Sequence, residues 1–499
     1  MSVAFSAVNI ISLQGSPAFG AEAGVVRDVF KGTVAPTRDL AGFSLVTSIL
    51  PGQSISFAVK SKASWNCDIV RLGSYARGNG KIFDSAKNQP AKKQPHLIEV
   101  PEIKMLEAPW ESNLTFSETN DWPTGLYVAR FKSSAGYTIA PFVVRDSVTS
   151  GKSVMKISVM TFALYNGFGG RSSYSGSPKN TFAERSYGVS LDRPLSSAAV
   201  GRFQQYIVSV TNVIDQLLPN AAWTTDIDVS SHLTDLSGAR QIISDAHDEY
   251  WSVSERQAVE DAIQSGTNLL LTGANTIYWR VRLEPSTTGD NRHIVVYKDA
   301  ALDPLPNSPE TTVKWRDEPF ANSESALTGN QFEWMAASCA SGIRNWKITT
   351  PNWWGYAGTK VEADQEIPGL IGAEVDQIVS ASYIPANTQV IAHRKYTCRL
   401  KSTVTAGRSQ MNSVQVVHDA TYVTTASGSA IFSPGTLYWA CAMNTNCKKH
   451  AFTKLTNTFV QQVMRNLVTE FDRGPAGNSH PAQNNVRIVT GFETKVSYL

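Results

Sequence analysis

Near residue 152 the chain changes its periodicity, and that change limits the architecture more than any other feature of the sequence. Before it, alternating segments such as Ser54-Ile55-Ser56-Phe57-Ala58-Val59 and Leu126-Tyr127-Val128-Ala129-Arg130-Phe131 are separated by turn clusters at Pro51-Gly52, Arg77-Gly78-Asn79-Gly80 and Pro123-Thr124-Gly125. Period-two alternation buries one face of a strand, and no useful amphipathic helical window interrupts it. Residues 1–147 therefore read as an antiparallel β-sandwich, and the polar stretch Ser147-Val148-Thr149-Ser150-Gly151-Lys152 reads as a linker.

After it, strands alternate with helices. Strands are predicted at 154–160, 222–227, 239–244 and 268–272, and helices at 203–217, from Ser252 to a stop at Gly266, and at 450–471. Ser252-Val253-Ser254-Glu255 has the form of a capping box. This order predicts an α/β domain over 152–499 with a mostly parallel sheet, its functional groups beyond the carboxyl ends of the strands. Residues 280–450, rich in aromatic loops, read as insertions around that domain.

Several function classes fall away on composition. A formal charge of +3 over 499 residues provides no field for nucleic acid or an anionic membrane. The sequence contains no run of 18 apolar residues of the kind that spans a bilayer. The first 21 residues carry no charge and lack the Lys/Arg start of a signal peptide, so a cytoplasmic location is expected, with export left open. Cys67, Cys339, Cys398, Cys441 and Cys447 are odd in number and scattered, which favours small buried hydrophobes over a disulfide framework or a zinc site. There is no G-x-S-x-G elbow and no HExxH pair, and Gly151-Lys152-Ser153 lacks the leading glycine of a phosphate loop, since Asp146 stands there.

Three strand ends hold the remaining chemistry. The third predicted strand runs into His247-Asp248-Glu249-Tyr250-Trp251-Ser252. On an extended backbone His247 and Glu249 point the same way and could serve one centre. The plainer reading is that Asp248 and Glu249 only complement the following helix N-terminus. The first strand leads to Tyr165, with glycines at 167, 169 and 170, and the fourth ends in Gly273-Ala274-Asn275. All three should converge on one edge of the sheet.

At these residues the sequence resembles the large (β) subunit of N,N-dimethylformamidase and the family that shares its C-terminal domain. The matching text is Tyr165-Asn166-Gly167-Phe168-Gly169-Gly170-Arg171-Ser172-Ser173-Tyr174, Ser190-Leu191-Asp192-Arg193-Pro194, His247-Asp248-Glu249-Tyr250-Trp251-Ser252, Gly273-Ala274-Asn275, Tyr278-Trp279-Arg280 and Gly372-Ala373-Glu374-Val375-Asp376. Arg71-Leu72-Gly73-Ser74-Tyr75 and Trp122-Pro123-Thr124-Gly125-Leu126-Tyr127 resemble the β-sandwich ahead of that domain. The resemblance implies a glutamine-amidotransferase-like fold and an amide hydrolase with a mononuclear ferric ion (Fe3+) held by two phenolates and a glutamate. Carried over, Tyr165 is the first phenolate, Glu249 the carboxylate and Tyr206 the second phenolate, with Tyr187 and Tyr174 as rivals. His247, Asn275 and Glu374 would match the polar groups that position water and substrate. Asp248, the middle residue of His-Asp-Glu, departs from the expected motif. The resemblance further implies a small amide substrate and leaves open a separate small subunit and a homo-oligomer. Trp251, Tyr278 and Trp279 could wall the pocket, although packing in the core is the preferred reading for them. The competing expectation is a non-enzymatic carbohydrate- or surface-binding protein with a degenerate amidotransferase-like domain.

Overall fold

The computed structural model describes residues 24–336, 344–399, 413–444 and 452–497. Over residues 25–144 two larger sheets form, beside a two-stranded pair of Ile98–Val100 and Met105–Glu107. Val25–Val26, Gly78–Gln89, Trp65–Tyr75, Gly125–Ser133, Gly136–Val144 and Ser48–Ile49 lie in that order in a six-stranded sheet. Leu40–Ser44, Ile55–Ser61 and Leu114–Phe116 make a three-stranded antiparallel sheet. Alternation sends Phe57 from the small sheet and Phe131 and Phe142 from the large one into one core, with ring centroids 5.8 and 5.9 Å from Phe57. Full burial of each such ring contributes roughly 1.5–3 kcal/mol. Gly42 lets the layers approach, since a Cβ there would stand 2.8 Å from the Phe131 ring.

The second face of the large sheet is buried as well. Val70, Leu72, Val128 and Ile139 pack with Phe203, Val210 and Ile214, and Arg71 pairs with Asp215 at 2.7 Å. Residues on both sides of position 152 thus share one core.

Seven strands form the central sheet in the order Ala222–Thr225, Ser153–Ile157, Gln241–Ser244, Asn268–Leu271, Ala430–Ser433, Ser413–Thr424 and Thr388–Arg399. The first five run parallel and the last two join antiparallel. The overall class is therefore mixed α/β. The four strands read from sequence are buried along their whole length, as is Ala430–Ser433, which was not read. Three further strands of this sheet lie within or reach into 280–450, so that region is not only insertion. Alternation in Ser413–Thr424 is broken because its second half, from Val417 to Thr424, is buried throughout.

The helices also refine the expectations. The expected helix 203–217 is two abutting helices, Ser197–Gln205 and Ile207–Leu217, while Val253–Gln264 and Lys454–Phe471 fall close to their predicted spans. Ser252 Oγ accepts from the Glu255 amide at 3.0 Å. The reciprocal half of the capping box does not form, because Glu255 is buried and its carboxylate turns to Lys156 at 2.6 Å. Cys67 is a buried free thiol. Cys398 and Cys441 are disulfide-bonded, which corrects the reading of them as isolated hydrophobes; Cys339 and Cys447 lie outside the described residues.

Candidate functional site

The carboxyl ends of three adjacent parallel strands open onto one cavity of about 380 Å³. Ser153–Ile157 leads through the helix Val159–Leu164 to Tyr165 at its end. Gln241–Ser244 leads to His247 and Glu249, and Asn268–Leu271 to Asn275. A fourth segment, the strand Glu374–Gln377, contributes Glu374. Tyr165, Tyr174, Tyr206, His247, Glu249, Asn275 and Glu374 all line the cavity.

Local backbone chemistry explains the placement. Gly273 passes so close to the neighbouring strand end that a Cβ would stand 1.6 Å from the Ala246 carbonyl oxygen, so only glycine fits. Asn275 follows at φ 55°, the left-handed region that asparagine tolerates better than most residues. Its backbone amide donates to Asp376 Oδ1 at 2.9 Å, and its Nδ2 donates to Glu374 Oε2 at 3.0 Å. Thr161 Oγ1 accepts from the Glu249 amide at 3.0 Å, tying the second strand end to the first.

As alternation implied, His247 and Glu249 share one side. His247 Nε2 stands 2.8 Å from Glu374 Oε2 and 3.3 Å from Glu249 Oε2. Asp248 points the opposite way into the sheet, where it meets Lys156 at 2.5 Å and accepts from Ser244 Oγ at 2.6 Å. Asp248 is thus an internal ion partner rather than a surface complement to a helix end. Burial alone would depress the His247 imidazole, but Glu374 and Glu249 outweigh it and raise it to about 10. Burial would raise Glu249, yet His247, Lys298 and Tyr174 hold its carboxyl below the ordinary range.

A group raised in the folded state stabilises fully below its unfolded pKa, here about 6.5. The His247 contribution therefore declines as pH climbs from there through about 10. In metal-free protein, His247→Asn is expected to flatten the loss of stability across that window. Denaturation midpoints measured at intervals from pH 6 to 10 check it, and an unchanged slope would dissociate His247 from the two carboxylates.

Tyr165 donates to Glu249 Oε2 at 2.7 Å and Tyr174 to Glu249 Oε1 at 2.5 Å, with the two rings stacked 4.5 Å apart. Tyr250 donates in turn to the Tyr174 hydroxyl at 2.5 Å, and Lys298 Nζ donates to Tyr250 at 2.8 Å. Burial, then the negative Glu249, raise all three phenols well above their usual value, so without a cation they stay protonated. Burial lowers the Lys298 amine to about 7 despite Glu249. Tyr206 lines the same cavity, and its hydroxyl makes no hydrogen bond among the described residues. Tyr187 stands apart, stacked on Tyr297 and receiving a hydrogen bond from Lys104. Tyr278 and Trp279 do wall the cavity. Trp251 does not; it is wholly buried beneath, its indole donating to the Asp248 carbonyl at 3.0 Å and its ring 4.5 Å from Lys156 Nζ.

Sequence reasoning gave no role to Thr161, Tyr250, Lys298 or Arg202. Tyr250 stood in a quoted motif, but only tertiary structure joins positions 174, 250 and 298. Among the described residues no three His, Cys, Asp or Glu side chains form a metal cage; a set with two phenols and one carboxylate is a different donor chemistry.

An α/β sheet with a buried polar cluster at its parallel strand ends, walled by aromatic residues, defines a ligand-pocket protein of the open-sheet class. The chain belongs to the family described as N,N-dimethylformamidase beta subunit-like, C-terminal, whose model matches residues 66–451. The match begins inside the strand Trp65–Tyr75, so it takes in most of the six-stranded sheet but only Leu114–Phe116 of the three-stranded one. No curated protein matches the chain. Among the described residues no helix is long and apolar enough to cross a membrane.

Proposed function

We propose that the protein is an amide hydrolase whose first two sheets form a β-sandwich beside a glutamine-amidotransferase-like domain, and that its cavity holds a mononuclear ferric ion. Support comes from one convergence: Tyr165, Glu249 and the partnerless Tyr206 hydroxyl share a cavity with His247, Asn275 and Glu374. The donor set fits the ion. Two phenolates and a carboxylate neutralise three positive charges, which lets the centre be buried at low cost. Tyr206 suits the second position better than Tyr174, whose hydroxyl already donates to Glu249 and accepts from Tyr250. Tyr187 is outside the cavity and is set aside.

When bound, ferric iron would supply Lewis acidity that polarises an amide carbonyl and makes water more acidic. The protein's own groups do the rest. Hydrolysis forms a bond from water oxygen to the acyl carbon, breaks the carbon–nitrogen bond, and passes the water proton to the departing amine. Glu374, beside His247 and Asn275, is placed to take that proton and return it. His247, charged between two carboxylates, fixes Glu374 and Glu249 in orientation. Asn275 directs one N–H to Glu374 and leaves Oδ1 buried without a hydrogen-bond partner among the described residues, an acceptor available to a substrate N–H.

Metal analysis with a visible absorption spectrum is the primary test. One iron per chain with a phenolate charge-transfer band, together with hydrolysis of small amides, is the expected result; no band after iron reconstitution would overturn the reading. Glu374→Gln is expected to retain iron and lower kcat by about 10²-fold or more, the scale of lost general acid–base catalysis. An unchanged kcat removes Glu374 from the proton path. The resemblance also leads us to propose a separate small subunit, which size analysis of the native complex would detect.

A further inference from the structure

The cavity is larger than a formamide needs, and its charge is not symmetric. Its volume of about 380 Å³ equals that of roughly a dozen water molecules in the liquid. Beside the polar groups, its wall includes the apolar side chains Phe162, Phe203, Ile207, Phe332, Met335 and Leu437. An amide that fills this space carries an apolar group. Arg202 also lines the cavity, near the end of the helix Ser197–Gln205. Its guanidinium lies 4.7 Å from the centre of the Tyr165 ring, whose hydroxyl reaches Glu249. Among the described residues Arg202 has no carboxylate partner and its side chain makes no hydrogen bond. His247, the other cation of the wall, is already held by Glu249 and Glu374.

We propose that Arg202 is a specificity-determining residue that receives a carboxylate on the substrate, and that the preferred substrate class is an amide with an apolar acyl group and an acidic group close to the amide nitrogen. The proposal rests on the amide-hydrolase reading for its chemistry, but the recognition it describes is a binding property. The guanidinium carbon lies over the Tyr165 ring and the side chain is exposed, so its N–H fork is open to a carboxylate, which such a fork grips with two parallel hydrogen bonds. One aromatic ring separates that fork from Glu249, which sets the acid within a few bonds of the amide to be cleaved. An N-acylated amino acid has this layout.

N-benzoylglycine and N-isobutylbenzamide are nearly the same shape and differ in the carboxylate. Titration calorimetry on the full chain is expected to give about tenfold tighter binding of N-benzoylglycine. Arg202→Leu should erase that preference while leaving N-isobutylbenzamide affinity unchanged, and Arg202→Lys should keep part of it. Equal affinity of the two probes for the native protein, failure to bind either, or equal losses in Arg202→Leu would each overturn the proposal. If the preference is found in a protein that holds no iron and cleaves neither probe, the hydrolase reading fails and the carboxylate site stands.

Discussion

Lys156→Met is expected to destabilise the protein by about 3–5 kcal/mol, the cost of leaving a buried charge without its partner. Lys156 is wholly buried in the strand Ser153–Ile157, with Nζ 2.5 Å from Asp248 and 2.6 Å from Glu255. Burial opposes its charge, yet Asp248, Glu255 and Asp226 outweigh that and raise it above its ordinary value. Burial raises Glu255 to about 8 and drives Asp226 well above the usual carboxyl range, with the Lys156 charge opposing both shifts. Removing the ammonium strands Asp248 in a pocket floored by Trp251. The double variant Lys156→Met with Asp248→Leu should recover part of the loss, because it removes both charges together. Chemical denaturation of the three proteins measures this. A single variant within about 1 kcal/mol of the native protein would mean that water reaches the cluster.

The consequence reaches the site, because Asp248 sits between His247 and Glu249 in the chain. Its anchorage in the sheet interior holds its neighbours outward, toward the cavity. Loss of Lys156 should therefore also disorder both of them, and any activity should fall with the stability.

How far this arrangement could be read from sequence depends on whether local geometry or tertiary packing decides each contact. His247 and Glu249 were legible because two residues apart on extended chain means one side. Tyr165 and Asn275 were legible because parallel strands end at a common edge. Glu374 and Tyr206 came only through family resemblance, since neither stands at the end of a recognisable apolar run. Tyr174 was named as a rival phenolate, but its bond to Glu249 spans 75 positions and no periodicity encodes it. Lys298 follows the strand Gly289–Val295 at φ 63°; the run His293-Ile294-Val295-Val296-Tyr297 before it is strand-like in sequence, but nothing local announces the bond from Lys298 to Tyr250, 48 positions away. Trp251 takes the core position, the reading preferred over a pocket wall, because the chain turns into the short strand Tyr250–Ser252, paired in parallel with Trp279–Ser286. Of the late strands of the central sheet, Val414-Gln415-Val416-Val417 is strand-like in sequence but was assigned to an insertion, whereas Ala430–Ser433 went unread although it is wholly buried and parallel to Asn268–Leu271.

Glu249→Ala is expected to abolish metal binding and amide hydrolysis while leaving the fold close to native. Two phenol hydroxyls converge on this carboxylate, from Tyr165 and Tyr174, and one imidazolium stands beside it. Without it the would-be donor set keeps two phenols, each already held protonated by burial, and loses the group whose carboxyl stays ionised most readily. Fold stability should change less, because the same substitution relieves the desolvation of a buried carboxylate even as it releases His247 toward Glu374. Iron content, the phenolate band and a thermal melt separate the two consequences. Full iron occupancy in Glu249→Ala would sink the ligand assignment even if hydrolysis stopped. Glu249→Gln sharpens the test: it keeps the hydrogen-bonding shape offered to Tyr165 and Tyr174 but removes the charge. If packing alone mattered, the glutamine variant would still take up iron; if the charge matters, it should lose iron as the alanine variant does.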